Sequence, residues 1–423
     1  MGQALCLAHR HMNGSTMNAA YWQRNLLICF FGSFINIVAM TLLLPFLPLY
    51  IEQLGVHNHA AIAQWSGIAY GATFFSAALM APLWGRLADN YGCKINLIRA
   101  SFGMVVTMAL IGLAQNVWEL VALRLMVGLA GGYTSGAYVL IASQTPKERS
   151  TWALAVLASG IMAGNLLGPL LGGVLPPLLG IRNTFFAASG FILLNFLATS
   201  LFIREERKTP SGSKKKPLGR MLPTEPGPRK LVLSMLVTAA LLMVANMSIE
   251  PIITLYIQQL VADAKQVTYF AGITMSVAAL GSIVSASWLG KIADRIGPMK
   301  VVIACLGVAG LLLIPQAFVA NAWQLIGLRF LMGLSLGGLL PCVTAIIRHN
   351  VADGAVGRAL GYSTSSQFAG QVIGPLLGGF IGGHIGMSYV FILTSALLLL
   401  CAGYSAAFMT LPRTQPGASG PAH

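Results

Sequence analysis

Long apolar segments dominate this sequence and restrict its fold more than any other feature. Twelve of them are long enough to cross a bilayer, which takes roughly 18 to 20 mostly apolar residues. They lie at about 25–51, 62–84, 96–115, 118–142, 152–176, 184–203, 231–258, 268–288, 301–320, 322–347, 357–382 and 388–410. Because lipid offers no partners to backbone polar groups, segments of this length must be helices. The sequence therefore predicts an all-α membrane protein with twelve transmembrane helices.

The charges are few and unevenly distributed. Only 9% of residues are charged, yet the formal net charge is +15. If the N-terminus is cytoplasmic, Arg182 and Lys265 fall in outer loops, Arg124 and Arg329 lie inside helices, and every other Lys or Arg is on the inner side. This asymmetry is the positive-inside pattern. It predicts a multi-pass plasma-membrane protein with both termini in the cytoplasm, and it explains the basic charge without nucleic acid as a partner.

A polar segment separates the first six apolar segments from the last six. Residues 204–230 read REERKTPSGSKKKPLGRMLPTEPGPRK, a composition rich in Pro, Gly, Ser and Lys that is typical of flexible linkers. We therefore expect five regions: a loose N-terminal cytoplasmic tail at 1–23, a six-helix bundle at 24–203, a cytoplasmic linker at 204–230, a second six-helix bundle at 231–411 and a C-terminal tail at 412–423.

The two groups of six repeat each other. GRLADNYG (85–92) recurs as GKIADRIG (290–297), LRLMVGLAGG (123–132) as LRFLMGLSLGG (328–338), GNLLGPLLGG (164–173) as GQVIGPLLGG (370–379), and LPFLPLYIEQL (44–54) as EPIITLYIQQL (250–260). Four matches in the same order at a nearly constant separation indicate a duplicated six-helix unit. The predicted architecture is two pseudo-symmetric six-helix bundles.

With these motifs in this order, the chain resembles the major facilitator superfamily from about residue 22 to residue 411. Within that superfamily it is most similar to the twelve-helix drug:proton antiporters, and among them to the MdtG-type multidrug efflux proteins. The resemblance implies the major facilitator fold and the bacterial inner membrane as location. It also implies a monomer, in contact with membrane lipid, that exports amphipathic small molecules or drugs by proton antiport with alternating access.

Two other functions remain open at this point. A dedicated metabolite or siderophore porter with the same fold, working in export or in uptake, would show the same motifs. A membrane receptor or scaffold that transports nothing is a third reading, against which the duplicated motifs and the absence of a sizeable soluble domain argue.

The first repeated motif lies in the short loops after helices 2 and 8. Its glycines permit a close crossing of helices, and its carboxylate can accept hydrogen bonds from the amides at a helix N-terminus. The resemblance implies a conformational latch that holds the two halves in an outward-open form, although a tight basic turn is the simpler interpretation. The latch residues are Gly85, Asp89, Gly92, Lys94, Gly290, Asp294, Arg295 and Gly297.

The glycine-proline motif in helix 5 is complete. Gly164, Gly168 and Gly172 are spaced by four residues, which gives a smooth face for close helix packing. Packing alone accounts for these glycines. The resemblance adds that this is the antiporter motif of exporters, comprising Gly164, Gly168, Pro169, Gly172 and Gly173.

Ionisable side chains inside membrane helices normally face a cavity or a partner. Of the eleven acidic residues, ten fall in loops or at helix ends, and Glu250 is the one that falls well inside a predicted helix, on one face with Asn246 and Thr254. The resemblance makes Arg124 the helix-4 arginine that is tied to proton coupling, so Glu250 and Arg124 are the candidates for that role. Alternatively, Arg124 reaches the outer surface, and Glu250, which precedes Pro251, reaches water at a kink.

Other polar residues in apolar helices are candidates for the substrate cavity, although helix–helix hydrogen bonds would explain each of them equally well. Two intramembrane arginines against one glutamate favour anionic or amphipathic substrates over cationic ones. The candidates are Asn36, Tyr133, Tyr138, Asn165, Asn246, Arg329, Gln367 and Gln371.

The sequence contains no signature of covalent chemistry. It has no GxxxxGK[ST] phosphate-binding loop, no Ser-His-Asp order and no glycine-rich cofactor turn, so we expect no cofactor and no enzyme activity. Its six cysteines form no CxxC pair, which predicts neither disulfides nor a metal site, and His57 and His59 are expected to be solvated. Transport must then be driven by a gradient of ions or of the substrate.

Overall fold

The computed structural model describes the backbone of residues 2–205, 226–351 and 355–410, and the helices and contacts below refer to these ranges. Most of the predicted linker and the predicted C-terminal tail lie outside the described residues. Within these ranges the regular secondary structure is helical. The all-α prediction is confirmed.

Sixteen α-helices follow one another along the chain. They are α1 (Gly2–Leu42), α2 (Leu47–Gln53), α3 (His59–Tyr91), α4 (Cys93–Leu113), α5 (Val117–Ala130), α6 (Tyr133–Gln144), α7 (Ser150–Leu179), α8 (Ile181–Phe202), α9 (Pro226–Ile249), α10 (Ile253–Leu260), α11 (Ala264–Ile296), α12 (Pro298–Gln316), α13 (Ala322–Leu336), α14 (Leu339–His349), α15 (Val356–His384) and α16 (Met387–Thr410). Two short 3₁₀ helices, Leu44–Phe46 and Lys147–Arg149, join some of them.

These helices account for the twelve predicted membrane segments. Eleven stretches of the described residues are long and apolar enough to cross a membrane. The twelfth is α15, which is 29 residues long and contains more Ser, Gln and Gly than the others. It packs along α3 and α9 inside the assembly, where polar side chains are better tolerated than at the lipid surface. The chain is a multi-pass membrane protein.

Four of the predicted helices are interrupted, at equivalent positions in the two halves. The first span breaks between α1 and α2 near Pro45, and the seventh breaks at Glu250–Ile252, around Pro251. Proline lacks an amide hydrogen and clashes with the preceding turn, so it kinks or breaks a helix, and at Pro45 and Pro251 the helix is broken. The predictions of continuous helices at 25–51 and 231–258 are therefore wrong at these points.

The fourth and tenth spans break at paired glycines. α5 gives way to α6 at Gly131–Gly132, where Gly132 has φ +106°, and α13 gives way to α14 at Gly337–Gly338. Glycine adopts positive φ without steric cost and loses helix stability relative to other residues. The predicted helices 118–142 and 322–347 are thus each two helices.

The first helix also begins earlier than expected. The backbone is helical from Gly2, where a loose tail was predicted for residues 1–23. Residues 2–20 contain no proline, and a helix that has formed in the membrane segment extends at one hydrogen bond per added residue.

Two connections show the duplication at the level of backbone angles. Gly92 joins α3 to α4 with φ +97°, and Gly297 joins α11 to α12 with φ +96°. These values lie in the left-handed region that favours glycine. The repeated glycine of the loop motif is therefore explained by the turn itself.

Within each half, the glycine-proline helix packs against the first helix of that half. Gly164, Gly168 and Gly172 of α7 face the backbone of α1, and Gly370, Gly374 and Gly378 of α15 face the backbone of α9. In the closest of these contacts, added Cβ atoms at Gly172 and Gly378 would collide with the carbonyl oxygens of Leu42 and Ser248. Such approaches require a residue without a side chain.

Candidate functional site

The two halves of the molecule meet along two helix pairs, α3 with α15 and α7 with α11. We call the end where α3 stops and α15 begins the linker end, and the opposite end the far end. On the first pair, a Cβ at Gly67 would collide with the Pro375 carbonyl oxygen, and one at Gly379 would lie 2.5 Å from that of Ala63. On the second pair, Gly272 lies against the carbonyl oxygen of Pro169. These contacts all lie towards the far end.

Hydrogen bonds between the halves lie in the same region. The Ser276 hydroxyl donates to the Leu166 carbonyl at 2.7 Å, and the Thr254 hydroxyl donates to the Pro45 carbonyl at 3.0 Å. The second bond joins the two proline breaks, one from each half. The far end is therefore closed by backbone-to-backbone packing.

At the linker end the halves are apart. Neither Gly85 nor Gly290 has another atom within 4 Å of the position of a Cβ, so the close helix crossing expected of the loop motif is absent in this conformation. Asp294 and Arg295 are exposed, and the side chain of Asp89 lies outside the described residues. Between α3 and α15 this end opens into a cavity of about 1200 Å³.

The amides that begin α4 are capped by Glu205. Its carboxylate accepts hydrogen bonds from the amides of Cys93 and Lys94, both at 2.8 Å. A carboxylate at a helix N-terminus satisfies free amides and complements the helix dipole. Sequence reasoning assigned Glu205 to the polar linker, and nothing in its local pattern would have placed it on α4.

Glu250 lies in the turn that breaks the seventh span. Its Oε2 atom is buried and has no hydrogen-bond partner among the described residues. Its carboxylate and the Arg329 guanidinium of α13 attract each other, although neither Glu250 Oε2 nor Arg329 Nε has a hydrogen-bond partner in the described part of the chain, and the charge of Glu250 also acts on Tyr70 of α3. Glu250 therefore faces both its own half and the opposite one.

The two membrane arginines are buried. Arg124 is 1% exposed and Arg329 is 5% exposed, so neither reaches the outer surface. Arg124 Nε donates to the Ala69 carbonyl at 3.5 Å, while its Nη1 atom has no hydrogen-bond partner among the described residues, and the same holds for Arg329 Nε. Tyr70 lies close to Arg124 as well as to Glu250.

A buried cluster thus joins the halves: Tyr70 and Arg124 from the first half, Glu250 and Arg329 from the second. Buried polar atoms without partners are costly, and they are rare unless something else binds there. With two guanidinium groups and one carboxyl group, the cluster can exchange a proton at Glu250. Sequence analysis proposed three of its members. It missed Tyr70, because the equivalent position of the second half is Met275 and the repeat therefore gives no signal there.

The glycine-proline motif contributes to both kinds of packing. Gly164, Gly168 and Gly172 contact α1, whereas Pro169 and Gly173 contact Gly272 of the opposite half. Gly67 and Gly272 occupy the same position of the two repeats, and sequence analysis did not select them. A search for glycines conserved between the two halves would have found both.

Two of the predicted cavity residues pack inside the first half. Asn36 is buried and its side chain donates to the Gly32 carbonyl at 2.8 Å. Tyr133 is 3% exposed, and its hydroxyl is hydrogen-bonded to Thr199 at 3.0 Å and to Asn195 at 3.4 Å. Tyr133 thus bonds to α8 and Asn36 to the backbone of its own helix, α1, and both side chains are buried within the first half.

The remaining candidates are more accessible. Asn165 is exposed, and the half-buried ones are Tyr138, Asn246, Gln367 and Gln371. Gln371 lies against the sulfur of Met243 at 3.7 Å. Of these five, the structure shows a side-chain partner for Gln371, so the other four have the freedom that contact with a solute requires.

The described residues contain no group of three His, Cys, Asp or Glu side chains that could hold a metal ion. The five described cysteines are buried and form no disulfide with one another, namely Cys29, Cys93, Cys305, Cys342 and Cys401.

Comparison with known proteins was made next. The sequence model of the Major Facilitator Superfamily matches residues 29–298 and 235–423. The chain is 42% identical over 393 residues to the multidrug resistance protein MdtG of Enterobacter lignolyticus strain SCF1, covering 93% of each sequence. It is 42% identical over 384 residues to MdtG of Salmonella typhimurium strain LT2, covering 91% of this chain and 95% of that one.

Solved structures show the same fold at low sequence identity. A bacterial homologue of the human lysosomal transporter Spinster, in an inward-facing and unoccupied conformation, matches with a TM-score of 0.72 and 14% identity, over 92% of this chain and 97% of that one. The peptide transporter POT in complex with sulfate matches with a TM-score of 0.73 and 15% identity, over 91% and 94%.

Proposed function

The chain belongs to the Major Facilitator Superfamily, and on that premise we propose that it exports amphipathic small molecules by proton antiport. It is a membrane transporter and not an enzyme. The observation that carries the proton step is the position of Glu250, half-buried at a helix break with its Oε2 atom buried, within electrostatic reach of Arg329 and of Tyr70 in the other half. Export is supported by the complete glycine-proline motif and by relatives that are called multidrug resistance proteins.

The conformation supports alternating access. The halves are packed at the far end and separated at the linker end, and rocking of two such bundles about a central site moves a solute across a membrane. The positive-inside pattern assigns the linker end to the cytoplasm, with both termini there. On that assignment this is the inward-facing state of a monomer in the bacterial inner membrane, ready to take up its substrate from inside.

The latch interpretation agrees with this state. A latch that holds the outward-open form would be released when the linker end opens, and Gly85 and Gly290 are free of neighbours here. Closing the linker end would bring the loop motifs of α3 and α11 back against neighbouring helices. In this scheme Gly92 and Gly297 keep the turns in shape in both states.

Glu250 couples the proton to this movement through charge. When it is ionised, its carboxylate attracts Arg329 within the second half and also acts on the first half through Tyr70 and Arg124. When it is protonated, that attraction is lost while both guanidinium charges remain. A ligand shifts a conformational equilibrium by as much as its affinity differs between the states, and a proton on Glu250 meets a different environment once the far end opens.

The test uses proteoliposomes with an imposed pH gradient and a panel of fluorescent amphipathic dyes. We expect gradient-driven transport by the wild type, out of the compartment that corresponds to the cytoplasm, and at least about a tenfold loss in Glu250→Gln, equivalent to about 1.4 kcal/mol. Downhill exchange of dye should persist in that variant. Glu52→Gln is the matched control, because Glu52 is exposed near the same end of the molecule.

Two results would contradict the proposal. Unchanged pH dependence in Glu250→Gln removes this residue from the coupling step. Flux of the dye panel in the opposite direction under the same gradient supports an uptake porter.

A further inference from the structure

The helix pair α3–α15 is closed at one end and open at the other. At the far end its contact runs along small residues, with Gly67 and Gly71 of α3 against the carbonyl oxygens of Pro375 and Val372. Continuing along the same face of α3, at steps of three or four residues, larger side chains replace the glycines. The two helices therefore enclose a wedge, which we call the α3–α15 cleft.

The α3–α15 cleft is mostly apolar along its length and basic at its mouth. It has a volume of about 1200 Å³, and both helices contribute aromatic and aliphatic side chains, including Phe75, Leu79 and Phe368. Arg86 of α3 and Arg358 of α15 line it at the linker end, one on each side. A large apolar pocket with a few charged groups that fix orientation is the usual form of a small-molecule site.

Other charges near the mouth bear on its electrostatics. Asp89 follows Arg86 by three residues on α3, but its side chain lies outside the described residues. Arg358 also interacts with another group. The mouth still combines two guanidinium groups from opposite halves, and guanidinium is the side chain best suited to carboxylate and phosphate groups.

The other helix pair between the halves, α7 and α11, differs in this respect. Arg86 corresponds in the repeat to Lys291 of α11, and Arg358 corresponds to Trp152 of α7. That side therefore has one cation where the α3–α15 cleft has two. Because the scaffold is duplicated, packing alone would be served by the same residues on both sides, so the extra cation at the α3–α15 cleft is not explained by packing.

We propose that the α3–α15 cleft is the side entrance through which an amphipathic anion passes from the adjoining membrane leaflet into the transport path. Its anionic head lies between Arg86 and Arg358, and its apolar body lies along Phe75 and Phe368. Because α3 and α15 belong to different halves, a molecule held here lies between the two bodies that move during transport. This inference rests on the proposed function and adds its substrate class.

The position of the cleft bears on whether its occupant is a transported solute or a structural lipid. In the proposed cycle the cleft closes when α3 and α15 approach each other at the linker end, so a lipid bound there permanently would block the closure. The occupant must therefore leave or move inward once per cycle. That requirement favours a substrate.

The test measures binding by calorimetry to the full-length protein in phosphatidylcholine nanodiscs, with empty nanodiscs subtracted. The probes are dodecyl phosphate and dodecyltrimethylammonium, which share one chain and differ in the charge of the head. We expect the anion to bind at least about tenfold more tightly than the cation, as charge-assisted contacts imply. Equal affinity for the two probes would overturn the proposal.

The variants locate the site. Arg86→Gln and Arg358→Gln should each weaken anion binding about tenfold and leave cation binding within about twofold. Lys291→Gln on α11 is the matched control and should change neither anion binding nor cation binding. Phe368→Ala should weaken both probes, because it removes apolar surface and not charge. If Lys291→Gln weakens anion binding as much as the two arginine variants do, the entrance is not at this cleft.

Two further measurements distinguish bilayer lipid from a free amphiphile as the occupant, and the side entrance from the proposed transport function. Replacing part of the phosphatidylcholine with phosphatidylglycerol should leave the dodecyl phosphate site available, and complete loss of probe binding would assign the cleft to bilayer lipid. Gradient-driven transport of the amphipathic dye panel is measured in parallel on the same protein reconstituted in proteoliposomes. Transport without anion binding refutes the side entrance alone, whereas the absence of any driven transport refutes the proposed function.

Discussion

The two halves of this transporter share one framework and differ in what surrounds their buried arginines. Arg124 and Arg329 occupy the same repeat position, and both are buried. In the first half the neighbouring polar group is Tyr70, whose counterpart in the second half is Met275. In the second half the partner is Glu250, whose counterpart is Leu44. Duplication thus explains the scaffold, and the single carboxylate is what makes the second half different.

A second difference concerns the helix breaks. In the first half, Arg99 stabilises the break at Gly131. Its guanidinium donates to the Gly131 carbonyl at 2.7 Å and stacks on Trp84, with the cation 3.4 Å from the ring centre. In the second half Leu289 occupies the position of Trp84 and packs against Gly338. One break is held by polar contacts and the other by apolar ones.

The largest effect that tests the arginine comparison is expected from Arg329→Ala. The variant leaves the desolvated Glu250 carboxylate without the guanidinium charge that attracts it, at a cost of about 3 kcal/mol. Arg124→Ala should cost less, because no carboxylate is left behind. Thermal unfolding of purified protein measures both. The double variant Glu250→Leu/Arg329→Leu should recover most of the loss, and equal losses for the two single variants would remove the asymmetry.

The next effect tests what the halves share. Gly378→Ala and Gly172→Ala each place a methyl group against a backbone carbonyl, so we expect each to lower stability by about 1–3 kcal/mol, the usual cost of overpacking. Gly307→Ala and Gly190→Ala serve as controls, because no atom lies within 4 Å of a Cβ at either position. The test is the temperature of unfolding. If only one half responds, the equivalence of the two glycine stripes is refuted.

The helix-break comparison predicts a smaller loss for Arg99→Ala. The variant gives up a cation–π contact and its hydrogen bond to the Gly131 carbonyl, together worth about 1–2 kcal/mol. Hydrogen exchange should speed up around Gly131 and Gly132 and stay unchanged around Gly337 and Gly338. Lys300→Ala, at an exposed position of α12, is the control. Faster exchange at both breaks would show that they are coupled.

The smallest expected effect concerns the caps of α4 and α12. Glu205→Ala should cost about 1 kcal/mol, because two α4 amides lose their acceptor. α12 begins with Pro298, which has no amide hydrogen to satisfy, so this end needs no such carboxylate. Exchange at the amides of Cys93 and Lys94 is the measurement, and Glu148→Ala is an exposed control. Protection of these amides in Glu205→Ala would mean that the cap contributes nothing.

Much of the fold could be predicted because its signals are local or periodic. Hydrophobic segments of sufficient length must be helices in lipid. The repeat identified the duplication, and the glycine spacing identified the packing faces of α7 and α15. The breaks near Pro45 and Pro251 differ from the predicted continuous helices at 25–51 and 231–258, because the prediction weighs apolar length above the amide that proline lacks.

The apolar segments and the repeated motifs are enough to establish that the chain crosses the membrane as two repeated bundles, and they single out Glu250 as the carboxylate inside the seventh predicted helix. The folded chain adds that Glu250 lies in a turn within electrostatic reach of Arg329 and Tyr70, that Tyr133 packs within the first half, and that Arg86 and Arg358 line the same cleft. The reason is physical. Hydrophobicity and turn preference act between near neighbours in the chain, whereas a charge partner or a cleft depends on how separate helices pack.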